Sequence, residues 1–204
     1  MVLLHPTYFS PIIQYIAIAN CKEIKFEFED NYQKQSYRNR CYIGTAQGKL
    51  QLNVPIKHTK GIKQKTKDVK IDYKDDWNNL HLKSLITAYN SAPFFEYYVD
   101  DLLPVFTKKF NFLLDLNLKT HEFVMDALQL EIQSSKTDEF FKESACLDLR
   151  KLAVAKSEEH FNLTSYYQVF NENIGFLQNL SILDLIFNEG PNALNYLETQ
   201  QITF

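Results

Sequence analysis

The residues best suited to chemistry stand close together, between positions 33 and 40. This stretch reads Gln33-Lys34-Gln35-Ser36-Tyr37-Arg38-Asn39-Arg40 and carries two guanidiniums, an ammonium, three side-chain amides, a phenol and a hydroxyl. A guanidinium offers a planar set of donors that matches a carboxylate or a phosphate, and an asparagine amide both donates and accepts. The stretch therefore favours a site for a polar, anionic ligand. The alternative is an exposed edge strand whose charges prevent aggregation.

The elements before this stretch indicate where such a site would lie. Residues 2–4 form a short apolar run, and residues 23–29 alternate between apolar and charged side chains, so both are predicted strands. Residues 12–20, between them, have the apolar spacing of a helix. This strand–helix–strand order is typical of a βαβ unit, whose strands are parallel. The polar clusters 5–8 and 30–40 would then meet at the carboxyl ends of neighbouring strands, where open α/β sheets bind ligands.

Later in the chain, the pattern of apolar residues changes from strand-like to helical. Strands are predicted at residues 37–46 and 49–56, joined by a tight turn. From residue 76 onward, helical spacing predicts four helices, over residues 76–90, 94–109, 115–130 and 181–197. The polar segment 131–165 has no clear periodicity.

The fold class expected from these elements is α/β. The chain has 204 residues, of which 45% are hydrophobic, enough to form a core. We expect a single domain over residues 1–204, with a mixed β-sheet in the N-terminal part, residues 1–75, and a mainly helical C-terminal part, residues 76–204. The lysine-rich run 57–70 is predicted to be a solvated loop rather than a phosphate-binding segment.

Composition argues against several classes of partner. A net charge of -3 gives no general attraction to nucleic acid, and no 18-residue apolar stretch is present to span a membrane. The N-terminus lacks the features of a signal peptide, and the three cysteines, Cys21, Cys41 and Cys146, have no metal-ligand spacing. No glycine-rich nucleotide-binding motif occurs. We therefore expect a cytoplasmic protein with no nucleic-acid partner, no membrane span, no metal and no cofactor.

Two histidines are the candidate general bases. His5 ends the first predicted strand, and His81 follows Trp77 by four residues, on the same face of a predicted helix. A histidine in the position of His81 is more often a core-edge residue bonded to a carbonyl, so that alternative stays open. No motif for a serine or cysteine nucleophile occurs.

The same stretches carry a family resemblance. They are Pro6-x-Tyr8-Phe9, the run from Tyr32 to Arg40, Asn53-Val54-Pro55-Ile56, Trp77 with His81, Ala88-Tyr89, Ala92-Pro93-Phe94-Phe95, Tyr167-Gln168 and the run from Asn179 to Pro191. On these stretches the chain resembles the WbqC-like proteins along nearly its whole length, and residues 94–98 resemble a shorter, Bacteroidetes-type branch. It departs from the family at His5, where Gln or Ser is usual, and between residues 140 and 165, where an insert looks missing or degenerate.

The resemblance implies a function in surface-polysaccharide (O-antigen) biosynthesis. It suggests a transferase that moves an aminoacyl group such as glycine, or another acyl group, onto a nucleotide-linked sugar or a similar phosphorylated small molecule. The alternative is a non-catalytic binding or scaffolding protein of the same pathway. The expected partner is in either case a small, anionic molecule, and a homo-oligomer is compatible with the sequence.

Such a transfer needs an anion-binding group, a base and an oxyanion stabiliser. If the resemblance holds, Arg38 and Arg40 bind the anion, Asn39 orients or stabilises the oxyanion, and His81 or His5 is the base. The expected substrate-binding set includes five further side chains, Tyr8, Gln33, Lys34, Tyr37 and Trp77.

A polar stripe on the last predicted helix completes the candidate site. Ser181, Asp184 and Asn188 are spaced by three and four residues, which places them on one helix face. We expect this stripe to meet the arginines, with Asp184 paired to Arg38 or Arg40 so that the guanidinium is held in place. The alternative is a helix cap followed by two solvated residues.

Overall fold

The computed structural model describes residues 1–57, 63–142, 145–156 and 161–204. His58, His160 and the middle of the lysine-rich run predicted as a solvated loop lie outside the described residues, as does part of the segment that departs from the family pattern.

Two sheets contain the strands of the described residues. The strands are β1 (Val2–Leu4), β2 (Glu23–Phe26), β3 (Arg40–Thr45), β4 (Gly48–Asn53), β5 (Gln133–Lys136) and β6 (Leu147–Asp148). Four of them form a parallel sheet in the order β5-β2-β1-β6, with Val2 opposite both Ile24 and Leu147. Strands β3 and β4 form a separate antiparallel hairpin in which Arg40 lies opposite Asn53. Parallel and antiparallel pairing therefore occur in different sheets.

Among the described residues, helices are the main regular elements after the hairpin. They are α1 (Ile12–Ala19), α2 (Trp77–Tyr89), α3 (Phe95–Thr107), α4 (Leu113–Leu128), α5 (Asn171–Ile174), α6 (Ile182–Glu189) and α7 (Ala193–Thr199). Short 3₁₀ turns occur at Thr66–Asp68, Arg150–Ala153 and Gly190–Asn192. The α/β class and the mainly helical later part are confirmed. Within the described residues, no helix combines the length and the apolarity needed to cross a membrane.

The two edge strands of the parallel sheet come from the segment whose sequence shows no periodicity. All four residues of β5 and both residues of β6 are exposed, so these strands carry no apolar alternation. Backbone pairing holds them in place, with Ile24 opposite Ser134 on one side of the sheet. The sheet therefore extends well beyond the first 75 residues of the chain.

The stretch around Arg38 forms a turn, and β3 begins only at Arg40. The Asn39 N–H donates to the Ser36 carbonyl at 3.4 Å, and the Tyr37 N–H donates to the Ala153 carbonyl at 2.8 Å. The predicted strand 37–46 therefore begins later than expected, at Arg40. The turn that replaces its first residues can direct consecutive side chains differently from the regular alternation of a strand.

The N-terminus of α6 joins three elements of the core. The Ser181 N–H donates to the Tyr42 carbonyl of β3 at 2.7 Å, and the Ile182 N–H donates to the Ser10 carbonyl at 2.9 Å. In return, the Ile12 N–H at the start of α1 donates to the Leu180 carbonyl at 3.0 Å. These bonds satisfy backbone groups at the helix ends and fix the hairpin against both helices.

Candidate anion-binding site

Polar side chains stand at or just beyond the carboxyl ends of all four parallel strands. His5 follows β1, Glu27 follows β2, Thr137 follows β5 and Arg150 comes just after β6. Parallel strands end at the same edge of a sheet, so these groups lie together. Glu27 accepts a hydrogen bond from the Thr137 hydroxyl at 2.8 Å and one from Arg150 Nη1 at 3.1 Å. The fully buried carboxylate of Glu27 therefore connects the residues that follow β5 and β6 at this edge.

Asp30 connects the two clusters that the sequence predicts at the strand ends. Arg38 Nη2 donates to Asp30 Oδ2 at 2.7 Å, and His5 Nε2 lies 3.4 Å from the same oxygen. The Thr66 hydroxyl donates to the other carboxylate oxygen at 2.6 Å. All four residues are buried. The clusters 5–8 and 30–40 therefore meet at the carboxyl edge of the sheet.

Arg38 is a buried cation with unused donors. Its side chain is 1% exposed, yet Nε and Nη1 have no hydrogen-bond partner among the described residues. Leaving a buried polar group unpaired costs about 1–3 kcal/mol, and more for a charged group. His5 Nδ1 is also buried without a partner in the described part of the chain. Nε and Nη1 of Arg38 are therefore donors from which an anion could accept hydrogen bonds at this edge of the sheet.

Burial dominates the electrostatics of this cluster. It raises the pKa of Asp30 even though the adjacent Arg38 acts in the opposite direction, and it lowers the pKa of Arg38. Desolvation of the two groups therefore outweighs their attraction. The pKa of His5 lies well below its ordinary value because of burial and the nearby charges of Arg38 and Arg150, so the ring is neutral at neutral pH.

Arg40 and Tyr32 extend this cluster toward the hairpin. Arg40 Nη1 donates to Gln51 Oε1 at 3.2 Å across β3 and β4, while its buried Nε has no partner among the described residues. The guanidiniums of Arg40 and Arg38 both act to lower the pKa of the half-buried Tyr32 phenol, although burial raises that pKa overall. Both arginines are therefore near enough to Tyr32 to influence the pKa of its phenol.

The other members of the predicted run point elsewhere. Gln33 and Lys34 are exposed, and Tyr37 is buried with its ring against Tyr42 at a centroid distance of 6.0 Å. Asn39 Nδ2 donates to Asn53 Oδ1 and to the Val54 carbonyl, both at 3.0 Å. These two bonds use both amide hydrogens, so Asn39 holds the turn against the end of β4 and has no N–H left for an oxyanion.

His81, Trp77 and Tyr8 form an aromatic cluster in the core. The Tyr8 hydroxyl is hydrogen-bonded to His81 Nδ1 at 3.0 Å, and the rings of Trp77 and His81 lie 5.1 Å apart. Burial lowers the pKa of His81 to about 4. No side-chain hydrogen bond among the described residues links this cluster to Asp30 or Arg38. The geometry fits the core-edge alternative for His81, and it leaves His5 as the histidine beside the arginine.

The expected pairing of Asp184 with Arg38 or Arg40 is wrong. The buried Asp184 carboxylate accepts hydrogen bonds from the hydroxyls of Tyr89 and Tyr166 and, at 3.0 Å, from Gln168 Nε2. It points toward α2 and the segment before α6, away from the turn that carries the arginines.

The alternative for this stripe is right only for its first residue. Ser181 caps α6 by accepting the Leu183 N–H at 3.3 Å. Asn188 and Asp184 are buried rather than solvated, and Asn188 Nδ2 donates to the Asp184 carbonyl at 2.8 Å.

Sequence reasoning missed Glu27, Thr66, Thr137 and Arg150 as members of the site. Glu27 lies inside the predicted strand 23–29, on its charged face, whereas the observed β2 ends at Phe26 and leaves Glu27 at the same edge as His5. Thr137 and Arg150 lie in the segment without periodicity, and Thr66 lies in the lysine-rich run. Nothing local distinguishes these three residues from solvated ones.

The sequence was compared with known protein families and proteins. The model of the WbqC-like protein family matches residues 6–160. The chain belongs to the WbqC-like protein family. A protein of Mycobacterium tuberculosis described as the uncharacterized protein Rv1507c is 27% identical over 196 residues, covering 81% of this chain and 83% of that protein. No solved structure matches the chain. The matched range of this WbqC-like protein includes Asp30, Arg38 and Arg150.

Proposed function

We propose that this WbqC-like protein binds an anionic small molecule at the carboxyl edge of its parallel sheet and transfers an acyl or aminoacyl group to it. The ligand class is a nucleotide-linked sugar or a similar phosphorylated molecule of surface-polysaccharide biosynthesis. The observation that carries the proposal is the buried guanidinium of Arg38, whose Nε and Nη1 have no partner among the described residues.

The charges around Arg38 support an anion as the ligand. Arg150 is occupied by Glu27 and Asp148, and Lys65 and Lys67 are both occupied by Glu29. Among the described residues, Arg38 is paired with Asp30 through Nη2 alone. A phosphate or carboxylate oxygen at the remaining nitrogens would form charge-assisted hydrogen bonds, which are about twice as strong as neutral ones.

His5 is the proposed base. Its ring is neutral, and its Nδ1 has no hydrogen-bond partner among the described residues, so Nδ1 is the nitrogen that we assign as the proton acceptor. In the transfer, an amino or hydroxyl group of the acceptor forms a bond to the carbonyl carbon of a thioester or ester donor. The bond from that carbon to the leaving group breaks, and His5 moves the proton from the acceptor to the leaving group.

The remaining predicted residues have supporting places in this proposal. Gln33 and Lys34 lie on the exposed side of the turn, where a larger ligand would extend. Asn39 and Tyr37 hold the turn, and the aromatic cluster of Tyr8, Trp77 and His81 supports it from the core. We place the activity in the cytoplasm and take residues 1–204 as one domain, without a nucleic-acid partner. Assembly into a homo-oligomer stays a prediction.

Binding of inorganic phosphate and of nucleotide sugars, measured by calorimetry, tests the anion site. Wild type should bind, and Arg38→Gln should lower the affinity by at least about tenfold, or 1.4 kcal/mol. Lys119→Gln is the matched control, because Lys119 pairs with Glu122 on the surface of α4, and it should bind as wild type does. Equal affinity in wild type and Arg38→Gln for every ligand would refute the proposal.

A binding or scaffolding protein of the same pathway is the second candidate function. It is favoured by the contact between His5 Nε2 and Asp30, which at 3.4 Å is long for a hydrogen bond that orients a catalytic base. The variant His5→Asn separates the two functions. If the protein is a transferase, His5→Asn keeps ligand binding and loses turnover with acyl-thioester or aminoacyl donors. If wild type binds ligand and shows no turnover with any donor, the second function is supported.

A further inference from the structure

We propose that Thr66 is a positioning residue of the anion-binding site. By bonding one oxygen of Asp30, its hydroxyl restricts Arg38 to the other oxygen and so keeps two donors of Arg38 available to the ligand. This inference rests on the proposed function, since it assumes that Arg38 binds an anion. It gives a residue of the lysine-rich run 57–70 a part in ligand binding.

The two oxygens of the Asp30 carboxylate have different partners. Oδ1 accepts the Thr66 hydroxyl at 2.6 Å, and Oδ2 accepts Arg38 Nη2 at 2.7 Å. His5 Nε2 lies 3.4 Å from the same Oδ2. Arg38 therefore meets one oxygen of this carboxylate with one nitrogen, and its Nε and Nη1 have no partner among the described residues.

An arginine and a carboxylate frequently form two parallel hydrogen bonds, because the planar guanidinium matches both carboxylate oxygens. Rotation of the Asp30 carboxylate about its Cβ–Cγ bond would turn Oδ1 toward a second nitrogen of Arg38. That second bond would satisfy a buried nitrogen and use a donor that the ligand needs. The bond from the Thr66 hydroxyl to Oδ1 opposes this rotation, because the rotation would break it.

Backbone contacts fix Thr66 beside Asp30. The Thr66 N–H donates to the Asp30 carbonyl at 2.9 Å, and the Tyr32 N–H donates to the Gln64 carbonyl at 2.9 Å. The two lysines that flank Thr66 both pair with Glu29. Thr66 is also buried, so water does not compete for its hydroxyl. The segment around Thr66 is therefore held against the segment that carries Asp30, and the hydroxyl has a fixed position.

Loss of this hydroxyl should separate ligand binding from stability. In Thr66→Val, the Asp30 carboxylate is released, and a second bond to Arg38 replaces the bond from Thr66. Folding then exchanges one hydrogen bond for another, while the anion loses a donor. A purely structural role for Thr66 predicts the opposite result, in which stability falls and the affinity for the anion is unchanged.

Calorimetry with inorganic phosphate and with UDP-glucose, at constant ionic strength, tests the role of Thr66. Thr66→Val should lower the affinity of the ligand that wild type binds by about tenfold or more, because one charge-assisted hydrogen bond is lost. Thr66→Ser keeps the hydroxyl and should bind as wild type does. Thr120→Val is the matched control. Thr120 is equally buried, but its hydroxyl donates to a backbone group, the Asn117 carbonyl, at 2.8 Å, so this variant should keep the affinity of wild type.

Urea unfolding and a crystal structure of Thr66→Val complete the test. The urea midpoint of Thr66→Val should stay within about 0.5 M of wild type. The midpoint of Thr120→Val should fall further, since no replacement bond forms there. In the crystal structure of Thr66→Val, two nitrogens of Arg38 should lie at hydrogen-bond distance from the two oxygens of Asp30.

Failure of this inference can be told apart from failure of the proposed function. If Arg38→Gln loses affinity while Thr66→Val keeps it, the role of Thr66 is overturned and anion binding at Arg38 stands. The same conclusion follows if Thr66→Val loses affinity but its urea midpoint falls as far as that of Thr120→Val, because the hydroxyl then acts on folding. If wild type binds neither ligand, or if Arg38→Gln binds both as wild type does, the inference and the proposed anion site are both overturned.

Discussion

The ion pair between Asp30 and Arg38 should respond asymmetrically to mutation, because within the described part of the chain only Arg38 has side-chain atoms without a hydrogen-bond partner. We expect Asp30→Asn to destabilise the protein strongly and Arg38→Met to leave its stability nearly unchanged. The double variant should be at least as stable as wild type. An ordinary buried ion pair would instead lose a similar free energy of unfolding from either single change.

The expected magnitudes follow from the contacts of each group. Breaking a buried pair by removing one charge costs about 3–5 kcal/mol. Asp30→Asn bears this cost in full, since it keeps the acceptor for Thr66 but leaves the Arg38 cation uncompensated. Arg38→Met has the same cost, because it leaves the Asp30 carboxylate without its cation. It also removes Nε and Nη1, which are buried without partners among the described residues, and at about 1–3 kcal/mol each this raises the free energy of unfolding by about 2–6 kcal/mol.

Urea unfolding followed by circular dichroism measures these differences. With a slope of about 2 kcal/mol per molar urea, a loss of 3–5 kcal/mol shifts the midpoint down by roughly 1.5–2.5 M. Arg38→Met should stay within about 0.5 M of wild type. Added inorganic phosphate should raise the midpoint of wild type and not that of Arg38→Met, because only a ligand that binds the folded state stabilises it.

Two results would refute this reasoning. If Arg38→Met loses as much stability as Asp30→Asn, the unpaired nitrogens of Arg38 carry no cost, and the main argument for a ligand there is lost. If the two single effects add in the double variant, the residues are not coupled across their 2.7 Å contact.

Two further predictions concern the scaffold. A Cβ at Gly190, where φ is +52°, would lie 2.5 Å from ring atoms of Phe94, so Gly190→Ala should cost about 2–6 kcal/mol from backbone strain and overlap together. Gly175→Ala is the matched control with φ of +73° and open space, and it should cost only about 1–3 kcal/mol in the same urea assay; equal losses would contradict the overlap. The pKa of His81 is about 4 in the folded protein, against an ordinary value of 6.5. As pH falls from 6.5 to 4, the unfolded chain therefore binds a proton at His81 before the folded protein does. The free energy of unfolding should fall over this range by up to about 3 kcal/mol. Burial also lowers the pKa of His121 to about 4, and the pKa of His5 is lowered too, so both contribute to the same loss of stability. His81→Gln, which keeps a polar partner for Tyr8, should therefore reduce but not abolish the pH dependence of the free energy of unfolding between about pH 7 and 4. An unchanged pH dependence would contradict the lowered pKa of His81.

Much of the fold could be predicted from the sequence, because local spacing decides helix and strand. The helices predicted over residues 76–90 and 94–109 are found as α2 (Trp77–Tyr89) and α3 (Phe95–Thr107). The strand–helix–strand order at the start of the chain correctly predicted two parallel neighbours, and with them the edge where the polar clusters meet. These inferences need only the period of apolar residues and the handedness rules of parallel sheets.

Strands β5 and β6 could not be predicted in the same way. Their side chains are exposed, so no alternation marks them, and they are held only by backbone pairing with β2 and β1. Pairing partners more than 100 residues away leave no trace in a local window. Thr137 and Arg150, which follow these strands and hold Glu27, were missed for the same reason.

By itself, the sequence determined that the polar clusters 5–8 and 30–40 meet at the carboxyl edge of the parallel sheet. The run from Gln33 to Arg40 showed an anion-binding composition, but not the direction of each side chain. Only the tertiary structure decided that Asn39 uses both amide hydrogens on the hairpin and that Asp184 binds tyrosines instead of arginine. It also decided that Arg38 is buried with two donors that have no partner among the described residues. The physical reason is that a polar group becomes a binding group when its surroundings remove water without supplying a partner. Those surroundings come from residues distant in the chain, so spacing alone cannot determine them.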